Sequence, residues 1–277
     1  MKVGPLPEGR TEPPTLDAGS SRLEAVLRAR LNGGSKLLVP YIMGGMSHDW
    51  LEVAHAAVAS GADALEVGIP FSDPMMDGPV IQEAALAALR RGTTLAGVLD
   101  DLARAGIGVP IVIMSYYNPI LRAGHRRSAG MLAGAGVAGA LIPDLPIEEL
   151  GPWAREADRA GIDTVLMVAP STVGRRVGAI TARARGFVYA VARMGVTGER
   201  ASLGSDATDV VERVREASDL PVCVGIGIST PAQAIEASRA ADGVVVGSAL
   251  VRRVLDGGGA EAAASFVGSL RAAIDRI

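Results

Sequence analysis

Ala64-Leu65-Glu66-Val67-Gly68-Ile69-Pro70-Phe71-Ser72-Asp73-Pro74-Met75-Met76-Asp77-Gly78-Pro79 is a short apolar run with one acid at its centre, leading into a loop that carries two more. Strand side chains alternate between faces, so Leu65, Val67 and Ile69 share one side and Ala64, Glu66 and Gly68 the other. The bulky side needs a covering layer such as helices. The other side clears small residues around a single carboxylate. A carboxylate inside an apolar strand is costly unless it is paired, neutralised or used. One reading is a structural Glu satisfied by a partner; the acid-bearing loop that follows directly favours catalysis. Asp73-Pro74 and Asp77-Gly78 also read as plain turn chemistry, since Asp, Pro and Gly are turn formers.

Outward from this stretch the chain alternates strand and helix. Short apolar runs at 37–42, 110–115, 138–142, 164–168, 187–191, 221–225 and 243–246 read as further strands. Helical spacing occupies the segments between them, with two helical pieces, 80–91 and 95–105, following the central stretch. A helix over 16–31 precedes the first strand and stops at Asn32-Gly33-Gly34. Strands alternating with helices imply parallel pairing with right-handed crossovers, and eight such units in this length predict a single (β/α)8 TIM barrel. A doubly wound open sheet is the alternative. No linker or composition shift divides the chain; residues 21–277 are expected to form the barrel with its extra N-terminal helix, and residues 1–20, rich in proline, a flexible tail.

Composition narrows the function. Of 277 residues, 49% are hydrophobic and only 3% aromatic, which suits a parallel sheet buried on both faces by aliphatic side chains. Net charge is −3 with no basic block, so nucleic acid is not an expected partner. The single cysteine, Cys223, lies in a strand and reads as core, and His48, His55 and His125 are scattered, so no metal site is expected. No apolar run reaches about 18 residues, so no membrane span is expected. The N-terminus lacks the apolar core of a signal peptide, and a cytoplasmic protein is expected.

Barrel active sites are built from loops at the C-terminal ends of the strands. That rule brings together Glu66 and the Asp73/Asp77 loop after the second strand, Gly195-Val196-Thr197-Gly198-Glu199-Arg200 after the sixth, Gly225-Ile226-Gly227-Ile228-Ser229 after the seventh and Gly247-Ser248 after the eighth. The last two fit a phosphate: glycines let backbone N–H groups approach an anion and a short helix adds its dipole. The stretch 195–204 reads either as a lid or as an ordinary solvated loop. Tyr116-Tyr117-Asn118-Pro119 reads as a binding rim or a turn, and Tyr189 is placed to face the barrel mouth.

Taken together, Glu66 to Pro74 with Asp77-Gly78-Pro79 closely resembles the signature of the tryptophan synthase alpha chain family. Tyr116-Tyr117-Asn118-Pro119, Pro143-Asp144-Leu145-Pro146, Gly195-Val196-Thr197-Gly198 and Gly247-Ser248-Ala249 match it in the same order, and the resemblance spans residues 37–255. It implies a (β/α)8 barrel that cleaves indole-3-glycerol phosphate to indole and glyceraldehyde 3-phosphate by a retro-aldol reaction with no cofactor. By resemblance, Glu66 is the acid–base group at indole C3 and the glycerol hydroxyl, and Asp77 holds the indole N–H. Tyr189 and Ile226 line the pocket; Gly198, Gly227, Gly247 and Ser248 hold the phosphate; Thr197 ties a closed lid to Asp77. The implied partner is a tryptophan synthase beta chain in an alpha–beta–beta–alpha complex. A free-standing lyase that releases indole is the alternative. Two departures stand out. The loop after the first strand, which with the Asp73 region helps form the beta-chain contact in the family, reads Ile42-Met43-Gly44-Gly45-Met46-Ser47; its methionines either abolish that contact or, the favoured expectation, re-tailor it for an apolar patch on a cognate partner. Ile226 stands where an aromatic or Leu is usual.

Overall fold

The computed structural model describes residues 22–191, 194–197, 200–203, 205–225 and 227–277. The expected tail at 1–20, together with Gly198 and Ile226, lies outside the described residues. In chain order the elements are α1 (Arg22–Asn32), β1 (Leu37–Met43), α2 (Trp50–Ala59), β2 (Leu65–Gly68), α3 (Pro79–Arg90), α4 (Leu95–Ala105), β3 (Ile111–Met114), α5 (Tyr117–Ala123), α6 (His125–Gly134), β4 (Gly139–Leu141) and α7 (Gly151–Ala160). There follow β5 (Asp163–Val168), α8 (Gly174–Arg183), β6 (Val188–Val191), β7 (Met194–Thr197), β8 (Arg200–Leu203), α9 (Ser205–Ala217), β9 (Val222–Gly225), α10 (Pro231–Ala240), β10 (Gly243–Val246), α11 (Ser248–Arg253) and α12 (Gly259–Ile274).

Eight strands close a parallel barrel in the order β1-β10-β9-β6-β5-β4-β3-β2. Closure excludes the open doubly wound sheet. It also explains why most strands read as unbroken aliphatic runs: helices cover the outside and side chains fill the inside, so both faces are dry. Leu65 and Val67 are fully buried on the outer face of β2, as the alternation requires, and Glu66 points inward. The register pairs Tyr41 with Glu66 and Glu66 with Val112, so these three side chains stand side by side on the inner wall.

The N-terminal end of the barrel is closed by α1. Leu23 is fully buried there, and a Cβ built on Gly139 would meet its Cδ2 at 3.0 Å, one on Gly186 at 2.6 Å. Those two glycines leave the space that the leucine plug occupies. Asp63, just before β2, ties the same end together: its carboxylate accepts from the Leu38 N–H at 2.8 Å and pairs with Arg30 and Arg271, each at 3.0 Å. Burial nevertheless wins over these partners and raises the Asp63 pKa above its ordinary value.

The structure departs from the sequence reading in three places. First, Tyr117-Asn118-Pro119, read as part of a rim or a turn, open the helix α5, with Tyr116 just ahead of it; Pro119 sits in its first turn, where proline costs no hydrogen bond, and seven residues are too few to show periodicity. Second, the stretch after β6 is an antiparallel ribbon, with Met194 opposite Leu203 and Thr197 opposite Arg200. Third, Met43 and Met46 do not form a surface patch. Met43 is the last residue of β1, paired with Gly68 and 1% exposed, and Met46 is 4% exposed. Among the described residues the exposed methionines are Met75 and Met76, in the loop between β2 and α3, at 89% and 60%.

Candidate active site

A cavity of about 270 Å³ opens at the C-terminal ends of the strands. Glu66 from β2 stands on its wall, Asp77 enters from the β2–α3 loop, Tyr189 comes from β6, Gly227 from the turn after β9, and Gly247 and Ser248 from the turn after β10. Tyr41, Met114, Leu141, Met167 and Val245 are among the remaining lining residues. Polar groups thus converge on an otherwise apolar pocket, the usual make-up of a small-molecule site.

Two tyrosines are seated by glycines. A Cβ on Gly68 would fall on the Tyr41 hydroxyl, and one on Gly225 would fall on the Tyr189 hydroxyl. Gly225 therefore makes room for a ring from the neighbouring strand, a different task from the anion approach that the sequence suggested for its turn. Gly227 meets the sequence reading better. Its φ of 42° lies in the left-handed region, and a Cβ there would meet nothing, so the backbone faces open space. The turn leading from Gly227 into α10 is held by a capping box: the Thr230 hydroxyl accepts from the Gln233 N–H, and Gln233 Oε1 accepts from the N–H of Thr230 at 3.2 Å and also from that of Ser229 at 2.9 Å.

The acids differ in surroundings. Glu66 is 4% exposed, and its Oε2 has no hydrogen-bond partner among the described residues. Burial, helped by the charge of Asp77, pushes its pKa up to about 8. Asp77 is pushed up to about 6 by burial, against a hydrogen bond from Tyr116 that lowers it. The Tyr116 hydroxyl also accepts from the Met76 N–H at 2.9 Å, and its ring stacks on Phe71 with centroids 5.2 Å apart. Tyr116 thus braces the acidic loop from the start of α5. At neutral pH Glu66 carries its proton and Asp77 has lost its own, so one site offers an acid and an anion together. The Tyr41 and Tyr189 phenols are held well above their ordinary pKa, first by burial, and stay protonated.

Residues 27–271 match the family model described as tryptophan synthase alpha chain. The chain is 48% identical to the tryptophan synthase alpha chain of Streptomyces coelicolor over 244 residues, covering 87% of each chain. It is 49% identical to that of Thermobifida fusca over 210 residues, 74% of this chain and 78% of the other. The chain belongs to the tryptophan synthase alpha chain family. Its backbone superposes on a chain of Mycobacterium tuberculosis tryptophan synthase with a TM-score of 0.85 at 38% identity, covering 92% of this chain and 98% of that one. The alpha subunit of Legionella pneumophila gives 0.84 at 31% identity, with 94% and 100% covered. These relatives do not favour the free-standing lyase.

Of the residues that the alpha-chain resemblance singled out, the structure brings Glu66, Asp77, Tyr189, Gly227, Gly247 and Ser248 to one cavity. Thr197 lies in the β7–β8 ribbon, its backbone opposite Arg200. Tyr41 is the lining residue that sequence reasoning missed, whereas Tyr116 falls in the stretch read as a binding rim or a turn and reaches the acidic loop. The chain has four tyrosines, and two line this cavity while a third braces its loop. That concentration, in a chain so poor in aromatics, was the available signal. Among the described residues no group of three or more His, Cys, Asp and Glu converges on one point, and no helix is long and apolar enough to cross a membrane.

Proposed function

We propose that this chain cleaves indole-3-glycerol phosphate to indole and glyceraldehyde 3-phosphate as the alpha subunit of a cytoplasmic tryptophan synthase, with Glu66 as the proton-transfer group and Asp77 as the anion. The observation that carries the assignment is the pair of acids on one cavity with their pKa values pushed to about 8 and about 6. Protonated Glu66 gives its proton to indole C3, and the ring becomes a cation centred on its nitrogen. Asp77 accepts the indole N–H and stabilises that charge. The Glu66 carboxylate then takes the proton of the hydroxyl on the neighbouring carbon. The C–C bond breaks, its electron pair returns to the ring, the carbonyl of the aldehyde forms, and Glu66 is again protonated. No electron is gained or lost overall.

The phosphate is assigned to backbone N–H groups around Gly227, Gly247 and Ser248, with Gly198 and Ile226 completing the substrate contacts by family resemblance. Glycine at 227 leaves the backbone open to an anion, a Cβ at Gly247 would first meet the Tyr41 side chain, and the start of α11 adds its dipole. Thr197 is assigned to the lid that closes over Asp77. The partner is a tryptophan synthase beta chain that receives the indole.

Glu66→Gln is the test. It keeps shape and polarity but cannot donate and retrieve a proton, so kcat should fall by about 10²–10⁴-fold, the usual range for general acid–base catalysis, while substrate binding is retained. A folded Glu66→Gln protein that turned over normally would remove the assignment.

A further inference from the structure

Beside Glu66 the cavity wall carries a second buried polar atom that the mechanism leaves unused. The Tyr41 hydroxyl, on a side chain 5% exposed, has no hydrogen-bond partner among the described residues, and the same holds for Oε2 of Glu66. Both residues line the cavity and are cross-strand neighbours. Burying a hydroxyl unpaired costs stability, and a phenylalanine would fill the same space without that cost. The oxygen is therefore explained by what enters the cavity rather than by packing.

Its position indicates what that is. β1 lies between β10 and β2 in the barrel. A Cβ on Gly247 would lie 3.4 Å from the Tyr41 Cβ, whereas one on Gly68 would fall on its hydroxyl. The side chain thus starts beside the Gly247-Ser248 turn and ends beside the strand of Glu66. Under the reading above, the first place holds the phosphate and the second the carbon that reacts. Between them, under the same reading, runs the substrate's three-carbon chain with its hydroxyls.

We infer that the Tyr41 hydroxyl donates a hydrogen bond to a glycerol hydroxyl of the substrate, making Tyr41 a specificity-determining residue that separates a hydroxylated phosphate chain from a deoxygenated one. This rests on the proposed reaction. The phenol is suited to the role because burial keeps its proton in place at neutral pH, so it acts as a donor throughout the cycle. A site built to bond a hydroxyl discriminates against ligands that lack it, since its own polar group is then left unpaired.

The experiment compares wild type, Tyr41→Phe and Glu66→Gln as purified full-length chains. Three quantities are read: kcat/KM for indole-3-glycerol phosphate, the calorimetric affinity for an indole joined to phosphate by a plain propyl chain, and Tm. Tyr41→Phe should lower kcat/KM about tenfold, the effect of removing one neutral hydrogen bond to a substrate. Affinity for the propyl analogue should not change, and Tm should be equal or higher. Equal losses for both ligands would make Tyr41 a packing residue and overturn the inference, as would a kcat/KM within about twofold of wild type. If wild type is active, Glu66→Gln is inactive and Tyr41→Phe is unimpaired, the inference alone fails. A wild type that neither binds nor cleaves the substrate overturns the proposed reaction, and the role of Tyr41 with it.

Discussion

Glu66 at about 8 and Asp77 at about 6 define the pH range in which this site can work. Turnover requires Glu66 protonated and Asp77 ionised, so kcat/KM should trace a bell, falling below about 6 as Asp77 gains a proton and above about 8 as Glu66 loses its own. Tyr116→Phe tests the acidic limb. The Tyr116 hydrogen bond lowers the Asp77 pKa, so its removal should move that limb to higher pH and leave the alkaline limb in place. An unmoved acidic limb would show that another group controls it. Stability carries the same signature. Between its ordinary 4.5 and about 8, native Glu66 keeps a proton that the unfolded chain has released. Its contribution is therefore fully present below 4.5 and is lost as pH rises through about 8. Thermal unfolding from pH 5 to pH 9 should show wild type losing Tm relative to Glu66→Gln across this window; parallel curves would contradict the raised pKa. Glu66 and Asp77 were legible as candidates from sequence because an acid in an apolar strand and an acid in a Gly/Pro loop stand out. Tyr41 was not, because a tyrosine in a strand is equally at home in packing and only the register sets it beside Glu66; Tyr116 was legible as rim or turn, and the Met76 hydrogen bond shows which way it is used.

The strands and most of the helices were legible for one reason: a parallel barrel demands aliphatic runs broken by turns, and the sequence keeps that rhythm from Leu37 to Val246. What failed was local. The strands β7 and β8 are four residues each, so the alternation of Met194 with Val196 and of Ala201 with Leu203 is too short to stand out in a stretch of sequence rich in glycine. The helix before Gly161 begins at Gly151 rather than at 147, with Pro152 in its first turn where proline is tolerated. The helix α1 was expected, but its use as a plug was not, because the glycines that receive Leu23 are far from it in sequence. Leu23→Ala should cost about 2–5 kcal/mol by emptying that socket, and it should do so without changing kcat/KM, because the catalytic cavity is at the opposite end. Denaturant unfolding measures the first, steady-state kinetics the second. A loss of activity in protein that remains folded would mean that the two ends of the barrel are coupled.

At the scale of the whole molecule, the question is how one rim serves both substrate and partner. The loops after β1 and β2 meet there, joined by the Gly44 N–H donating to the Gly68 carbonyl at 2.9 Å. With Met43 and Met46 buried beneath it, a charge at 43 would damage the core and say nothing about association. The most exposed large apolar side chain among the described residues is Met75, on the same loop as Asp77 and two residues from it, and it is the contact expected here for the proposed beta chain. A contact there would press directly on the loop that carries the anion, so binding of a beta chain and closure of the site would favour each other, as linkage requires. The chain alone should then be a slow lyase, accelerated by its cognate beta chain. Met75→Asp, which sits outside the cavity lining, should leave the slow basal rate unchanged and abolish most of the acceleration, with about a tenfold or greater loss of beta-chain affinity if an exposed methionine becomes a buried contact. Titration of beta chain into both proteins, followed by indole formation, measures this. An unchanged titration curve would move the contact off this loop, and a lone chain already turning over at about 1–10 s⁻¹ with no gain from any beta chain would restore the free-standing lyase.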